Sequence, residues 1–245
     1  MIEEAIEIST ADGTADGYVY RPAGGEPAPG VLVLTDIGGI REGTRALCAR
    51  LAEHGYAVLL PNVFYRTTKP PVFPSPMNFR DEATRKRFGE LTAPFDAAAV
   101  ERDGAAYLDF LTGRSDVRSG PCGVVGYCFT GSHALRLSAS EPERIAAAAS
   151  FHGGGLYSDK PDSPHRVLPK VRCRLYFGHA IEDRSMPAEA IEKLGEALMA
   201  WGGQYENEVY DGAYHGWTMP GRVHHPEQAE RAFAKLTELF DATLR

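Results

Sequence analysis

Residues 122–140 constrain this chain more than any other stretch. Cys122-Gly-Val-Val-Gly-Tyr127 is a short apolar run, and Phe129 to Ser140 has the pattern of a helix. Between them lies Gly126-Tyr127-Cys128-Phe129-Thr130-Gly131. A strand that passes at once into a helix turns within a few residues, and that turn thrusts one side chain out beyond the end of the sheet. Such a turn crowds the neighbouring strands and the helix that follows, which calls for small residues like Gly126 and Gly131. The residue at the tip is Cys128. The chain must therefore build a sheet around residues 122–127 and support a thiol at its edge.

The remaining segments supply that sheet. Ile2–Ile8 and Thr14–Tyr20 alternate around Ala11-Asp12-Gly13 and predict an antiparallel hairpin. Val31–Leu34 is a continuous apolar run, as a buried parallel strand requires. A helix is predicted over Thr44–His54, with Leu47 and Leu51 on one face and Gly55 after it. Tyr56–Leu60 reads as a strand stopped by Pro61. Phe95–Leu111, Pro187–Trp201 and Pro226–Leu244 read as helices; Ile145–Phe151, Arg174–Phe177 and Tyr205–Tyr210 read as strands. Strands alternating with helices imply an α/β fold, a mostly parallel central sheet covered by helices on both faces. No internal repeat or linker breaks the 245 residues, so a single domain over 1–245 is expected. Residues 62–94, polar and rich in proline and arginine, are long for a connection and suggest a lid or cap.

In sheets of this type, reacting groups collect beyond the carboxyl ends of the strands. Asp36 follows Val31–Leu34, Cys128 follows its strand, Asp183 follows Arg174–Phe177, and His215 follows Tyr205–Tyr210. Nucleophile, acid and histidine in that order match an α/β hydrolase. The 55 residues from Cys128 to Asp183 and the 32 from Asp183 to His215 leave room for the intervening strands and helices. The Phe129 N–H would lie at a helix N-terminus, aimed at a developing oxyanion, and the Ile37 N–H is the expected second donor. Cys48, Cys122 and Cys173 read as small buried hydrophobes. His152 follows a strand and is a candidate pocket residue.

These residues resemble the dienelactone hydrolase family of α/β hydrolases. The resemblance rests on Gly-Tyr-Cys-Phe-Thr-Gly around Cys128, Glu182-Asp183 with Pro187, and Tyr214-His215-Gly216. Leu51-x-x-x-Gly55-Tyr56-Ala57-Val58 followed by Pro61 adds to it. It implies carboxymethylenebutenolidase-like hydrolysis of an enol-lactone or ester through a Cys128 thiolate and a thioester. His215 would be general base and acid, and Asp183 would orient it. It also implies a glutamate after the first central strand that helps ionise the thiol; here Asp36 stands in that place. Four residues after the histidine, where an arginine binds the substrate carboxylate, this chain has Met219. Arg80, Arg85, Arg222 and Trp217 join His152 as candidate substrate-binding residues. A general carboxylesterase or thioesterase, and a catalytically silent ligand-binding protein of the same fold, stay open.

Composition narrows the partners. A net charge of −7 argues against a nucleic-acid or anionic-membrane surface. The acidic start MIEEAIEIST has no apolar leader, and no run is long enough to span a membrane. The expected partner is a small-molecule ester or lactone, handled by a cytoplasmic monomer or homodimer. No cofactor is called for, and no histidine or cysteine spacing suggests a metal.

Overall fold

In the computed structural model, residues 1–73 and 77–245 are described. Residues 74–76 of the expected lid lie outside them. The chain forms two compact units, 1–118 and 119–245.

The first unit opens with the hairpin. β1 (Ile2–Thr10) pairs antiparallel with β2 (Gly13–Arg21), with Ser9 opposite Thr14. Gly13, at φ +143°, makes the turn where a side chain would be strained. β2 pairs antiparallel with β4 (Ala57–Pro61), and β4 pairs parallel with β3 (Gly30–Leu34). β3 and β4 are buried along their whole length, as their unbroken apolar runs predict. α1 (Glu42–Glu53) packs on β2 and β4, while α3 (Ala97–Thr112) packs on β1, β3 and β4. Asp96 caps α3 by accepting from the Ala99 N–H at 2.7 Å.

Within residues 62–94 the structure adds a helix that the sequence pattern does not reveal, α2 (Glu82–Thr92). It buries only Thr84 and Leu91, so it lacks the apolar stripe by which a helix is recognised. Arg66 anchors the start of this stretch. Its guanidinium spans both oxygens of the buried Asp103, at 2.6 and 2.8 Å, and Tyr65 donates to the same carboxylate at 2.8 Å.

The second unit is a fully parallel array. β5 (Cys122–Tyr127), β6 (Ile145–Phe151), β7 (Arg174–His179) and β8 (Tyr205–Val209) pair in that order. α4 (Thr130–Ser140) packs on β5 and β6, and α6 (Pro226–Leu244) packs on β5, β6 and β7. They cover opposite faces. A Cβ at Gly123 would lie 2.6 Å from Phe240 of α6, and one at Gly126 would lie 2.1 Å from the Thr130 carbonyl oxygen at the start of α4. α5 (Ala188–Trp201) ends at Gly202 in the left-handed conformation, the expected helix stop. A 3-10 helix over Pro164–Lys170, which no period in the sequence marks, packs against α4 and α5. Among the described residues no helix is long and apolar enough to cross a membrane.

Candidate active site

The turn between β5 and α4 has the form its sequence demands. Cys128 sits at φ +60°, a left-handed conformation that costs an L-residue on the order of 1–2 kcal/mol. Neighbouring hydrogen bonds hold it there. The Cys128 carbonyl oxygen accepts from the Gly131 N–H at 3.1 Å and the Gly154 N–H at 3.2 Å. Thr130 Oγ1 closes the turn, accepting from the Tyr127 N–H and donating to the Tyr127 carbonyl oxygen, both at 2.9 Å. Gly131 packs where a Cβ would lie 2.2 Å from Ser150 Oγ, so both glycines of the motif are dictated by close approach.

Cys128, Asp183 and His215 meet. His215 Nε2 lies 3.1 Å from Cys128 Sγ, and His215 Nδ1 lies 2.6 Å from Asp183 Oδ2. Asp183 is 8% exposed. Its other oxygen, Oδ1, accepts from the Ser185 N–H at 2.8 Å and from Ser185 Oγ at 2.7 Å. Asp183 is thus fixed through both of its oxygens. Ser185 had no sequence signal beyond its place two residues after the acid.

The electrostatics of this row are coupled. Burial pushes the His215 pKa down, but the hydrogen bonds to Asp183 and Cys128, with the charges behind them, outweigh it and push it up to about 10. Burial likewise works to raise the Asp183 carboxyl, yet the His215 and Ser185 hydrogen bonds bring it below its ordinary value. His215 is thus held toward its charged form between Asp183 and Cys128. Cys48, Cys122 and Cys173 are buried, and burial raises their pKa values, to about 11 for Cys122 and Cys173.

Asp36, in the first unit, is clamped by Arg41, whose Nη1 and Nη2 lie 2.5 and 2.7 Å from its two oxygens, and it also accepts the Gly38 N–H. Ile37 beside it is 6% exposed. Phe129 opens α4 with helical backbone angles. Trp217 is fully buried, its indole N–H without a hydrogen-bond partner among the described residues. His152 is 1% exposed, in hydrogen-bond contact with Cys128 N–H and Thr218. Met219 is 5% exposed. Arg80, Arg85 and Arg222 are exposed, and Arg85 donates to the Phe79 and Arg80 carbonyl oxygens. Of the remaining histidines, His179 donates from Nε2 to Asn207 Oδ1 at 2.7 Å, and burial lowers its pKa. His225 caps α6. Among the described residues no cluster of three or more His, Cys, Asp or Glu is placed to hold a metal ion.

The chain has counterparts among known proteins. The model of the dienelactone hydrolase family matches residues 15–244. A Synechocystis sp. protein, named as a proposed carboxymethylenebutenolidase, is 27% identical over 233 residues, which cover 94% of this chain and 92% of its own. The carboxymethylenebutenolidase of Pseudomonas putida is 26% identical over 200 residues, 82% of this chain and 80% of its own. The crystal structure of a proposed dienelactone hydrolase from Klebsiella pneumoniae superposes with a TM-score of 0.86 at 23% identity, covering 98% of each chain. That likeness shows a shared fold, the α/β-hydrolase fold.

Proposed function

Because the chain belongs to the dienelactone hydrolase family, and is a hydrolase of that kind, we propose that it cleaves a lactone or carboxylic ester through a thioester on Cys128. The carrying observation is the unbroken row from Cys128 Sγ through His215 to Asp183, at 3.1 and 2.6 Å. The Cys128 proton passes to His215 Nε2. The thiolate then forms a C–S bond to the substrate carbonyl carbon, and the carbonyl electron pair becomes an oxyanion facing the N–H group of Phe129. As the oxyanion collapses, the C–O bond breaks and His215 protonates the departing alkoxide or enolate. In a lactone this group stays tethered to the acyl chain. Water then gives a proton to His215, attacks the thioester and expels the thiolate, which regains the imidazolium as its partner. The sum is ester plus water to acid plus alcohol.

A buried methionine at position 219 favours a substrate without a free carboxylate at that point. A general esterase or thioesterase is therefore the second reading, and a panel of lactones, aryl esters and thioesters separates the two. A preference of several hundred-fold for lactones would exclude the general esterase.

Iodoacetamide tests the common core. It should label Cys128 stoichiometrically, sparing the three buried thiols, and abolish turnover of p-nitrophenyl acetate and dienelactone. Full turnover after labelling would sink the thiol mechanism. A mass adduct of the acyl group on Cys128 would count against a silent binding protein.

A further inference from the structure

A second histidine lies behind the reacting pair. His152 follows β6, is 1% exposed, and holds its backbone at φ +40°. Its Nδ1 lies 3.1 Å from the Cys128 backbone nitrogen, whose N–H it shares with the Phe151 carbonyl oxygen, also at 3.1 Å. Its Nε2 lies 2.8 Å from Thr218 Oγ1, three residues beyond His215 in the chain. The two imidazole rings have centroids 5.1 Å apart, and Trp217 closes the other side edge-on at 5.0 Å. Tyr127 completes the surround at 5.9 Å.

These contacts dictate the tautomer. A backbone N–H can only donate, so Nδ1 must present its lone pair to Cys128. The ring proton therefore sits on Nε2 and is donated to Thr218 Oγ1. A doubly protonated ring would set N–H against N–H at the nucleophile's own backbone. It would also place a second cation 5.1 Å from the histidine that has to carry the positive charge beside the thiolate.

We propose that His152 is a positioning residue that ties the cysteine turn to the histidine loop. One ring nitrogen grips the Cys128 backbone, and the other grips the loop just past His215. The imidazole acts as a rigid spacer of fixed protonation that holds Sγ and His215 Nε2 at 3.1 Å. The buried ring is not a substrate contact, the role its place after a strand suggested. The proposal rests on the reading of Cys128 as nucleophile and His215 as its base.

Four variants separate the two grips. In His152→Asn the side-chain oxygen can occupy the place of Nδ1 and keep the Cys128 contact. In His152→Gln the amide reaches toward the place of Nε2 and keeps the Thr218 contact. His152→Phe keeps the ring and neither contact. Thr218→Val removes the hydroxyl without changing shape. The readouts are the pH profile of Cys128 alkylation by iodoacetamide and the kcat and KM for p-nitrophenyl acetate.

His152→Phe should lower kcat by about tenfold or more with KM unchanged, the scale at which small misplacements act. It should also shift alkylation to higher pH. His152→Asn and His152→Gln should each recover part of the loss. Thr218→Val should reproduce part of it and add nothing to His152→Phe in the double variant. Wild-type alkylation profile and kcat in folded His152→Phe would overturn the proposal, as would failure of both amides to do better than Phe. If His152→Phe does not fold, Thr218→Val decides, and an unchanged profile and kcat there overturn it. The underlying reading fails separately: in that case wild-type Cys128 itself would alkylate no faster at neutral pH than an ordinary thiol.

Discussion

Replacing Asp183 by asparagine should disable the thiol without disturbing the fold. Asp183 Oδ1 accepts the Ser185 backbone N–H at 2.8 Å, a group that can only donate. An asparagine must therefore put its oxygen there and turn its NH2 toward His215 Nδ1, which the carboxylate meets at 2.6 Å. His215 Nδ1 would then have to accept, its proton would move to Nε2, and Nε2 would face Cys128 Sγ with no lone pair to offer. The opposite amide orientation keeps the tautomer but sets NH2 against the Ser185 N–H. Either way a hydrogen bond to a charged group is lost, worth about 1.5–3 kcal/mol, or roughly 10- to 150-fold in reactivity. The wrong tautomer adds to this, since the matching change in serine triads costs about 10⁴ in kcat. We expect kcat on p-nitrophenyl acetate to fall by about 10² to 10⁴. Cys128 alkylation should revert to that of an ordinary thiol, with a midpoint near about pH 8.5. If the alkylation profile of Asp183→Asn superimposes on wild type, then Asp183 does not control the imidazole and the argument is wrong.

Two further outcomes follow from the same atoms. His215 holds its proton more tightly when folded, with a pKa pushed up to about 10 from an ordinary 6.5. Its contribution to stability is fully present below the ordinary value and is lost as pH rises through the folded one. Because its side chain is 32% exposed, the loss across that window should be about 2–4 kcal/mol after allowing for solvent screening. Urea midpoints should fall on the alkaline side, and His215→Gln should flatten that fall; an equal slope in both proteins would contradict it. Asp183 acts in the opposite sense, its depressed pKa adding stability above the ordinary carboxyl value that disappears as pH drops. Gly126→Ala should cost about 3 kcal/mol or prevent folding, because its Cβ would lie 2.1 Å from the Thr130 carbonyl oxygen and 2.8 Å from the Gly131 nitrogen, all backbone. A urea midpoint equal to wild type would show that the turn can move.

What could be read from the chain was whatever period, punctuation and order encode. The buried strands β3, β4 and β5 announce themselves as unbroken apolar runs, while Gly113 and Gly202 stop α3 and α5 and Pro187 and Pro226 start α5 and α6. The order Cys128, Asp183, His215 is visible because each follows a strand, and parallel strands present their carboxyl ends on one side. α2 escaped because its stability does not come from an apolar stripe, and only Thr84 and Leu91 are buried. The Arg41 clamp on Asp36 escaped for a different reason: five residues apart, the two lie in a loop whose side-chain directions no period fixes.

The least legible feature is also the most telling. Among the described residues, three that are not glycine, Cys128, His152 and Glu182, have positive φ angles of 60°, 40° and 50°. They come just after β5, β6 and β7 in turn. Each such residue costs on the order of 1–3 kcal/mol and persists only where its surroundings over-determine it. Cys128 is over-determined by bonds to its own N–H and C=O from Phe151, His152, Gly131 and Gly154. His152 is held by its N–H on the Gly178 carbonyl oxygen and by both ring nitrogens. The strain in one turn is thus countered by groups belonging to the next, and the bond between Cys128 and His152 couples two strained positions directly. A sequence records the glycines that relieve strain but not the side chains that sustain it. That is why the chain marks Cys128 by its neighbours and His152 only by its place after a strand, whereas the hold of His152 on the cysteine is visible only in the fold.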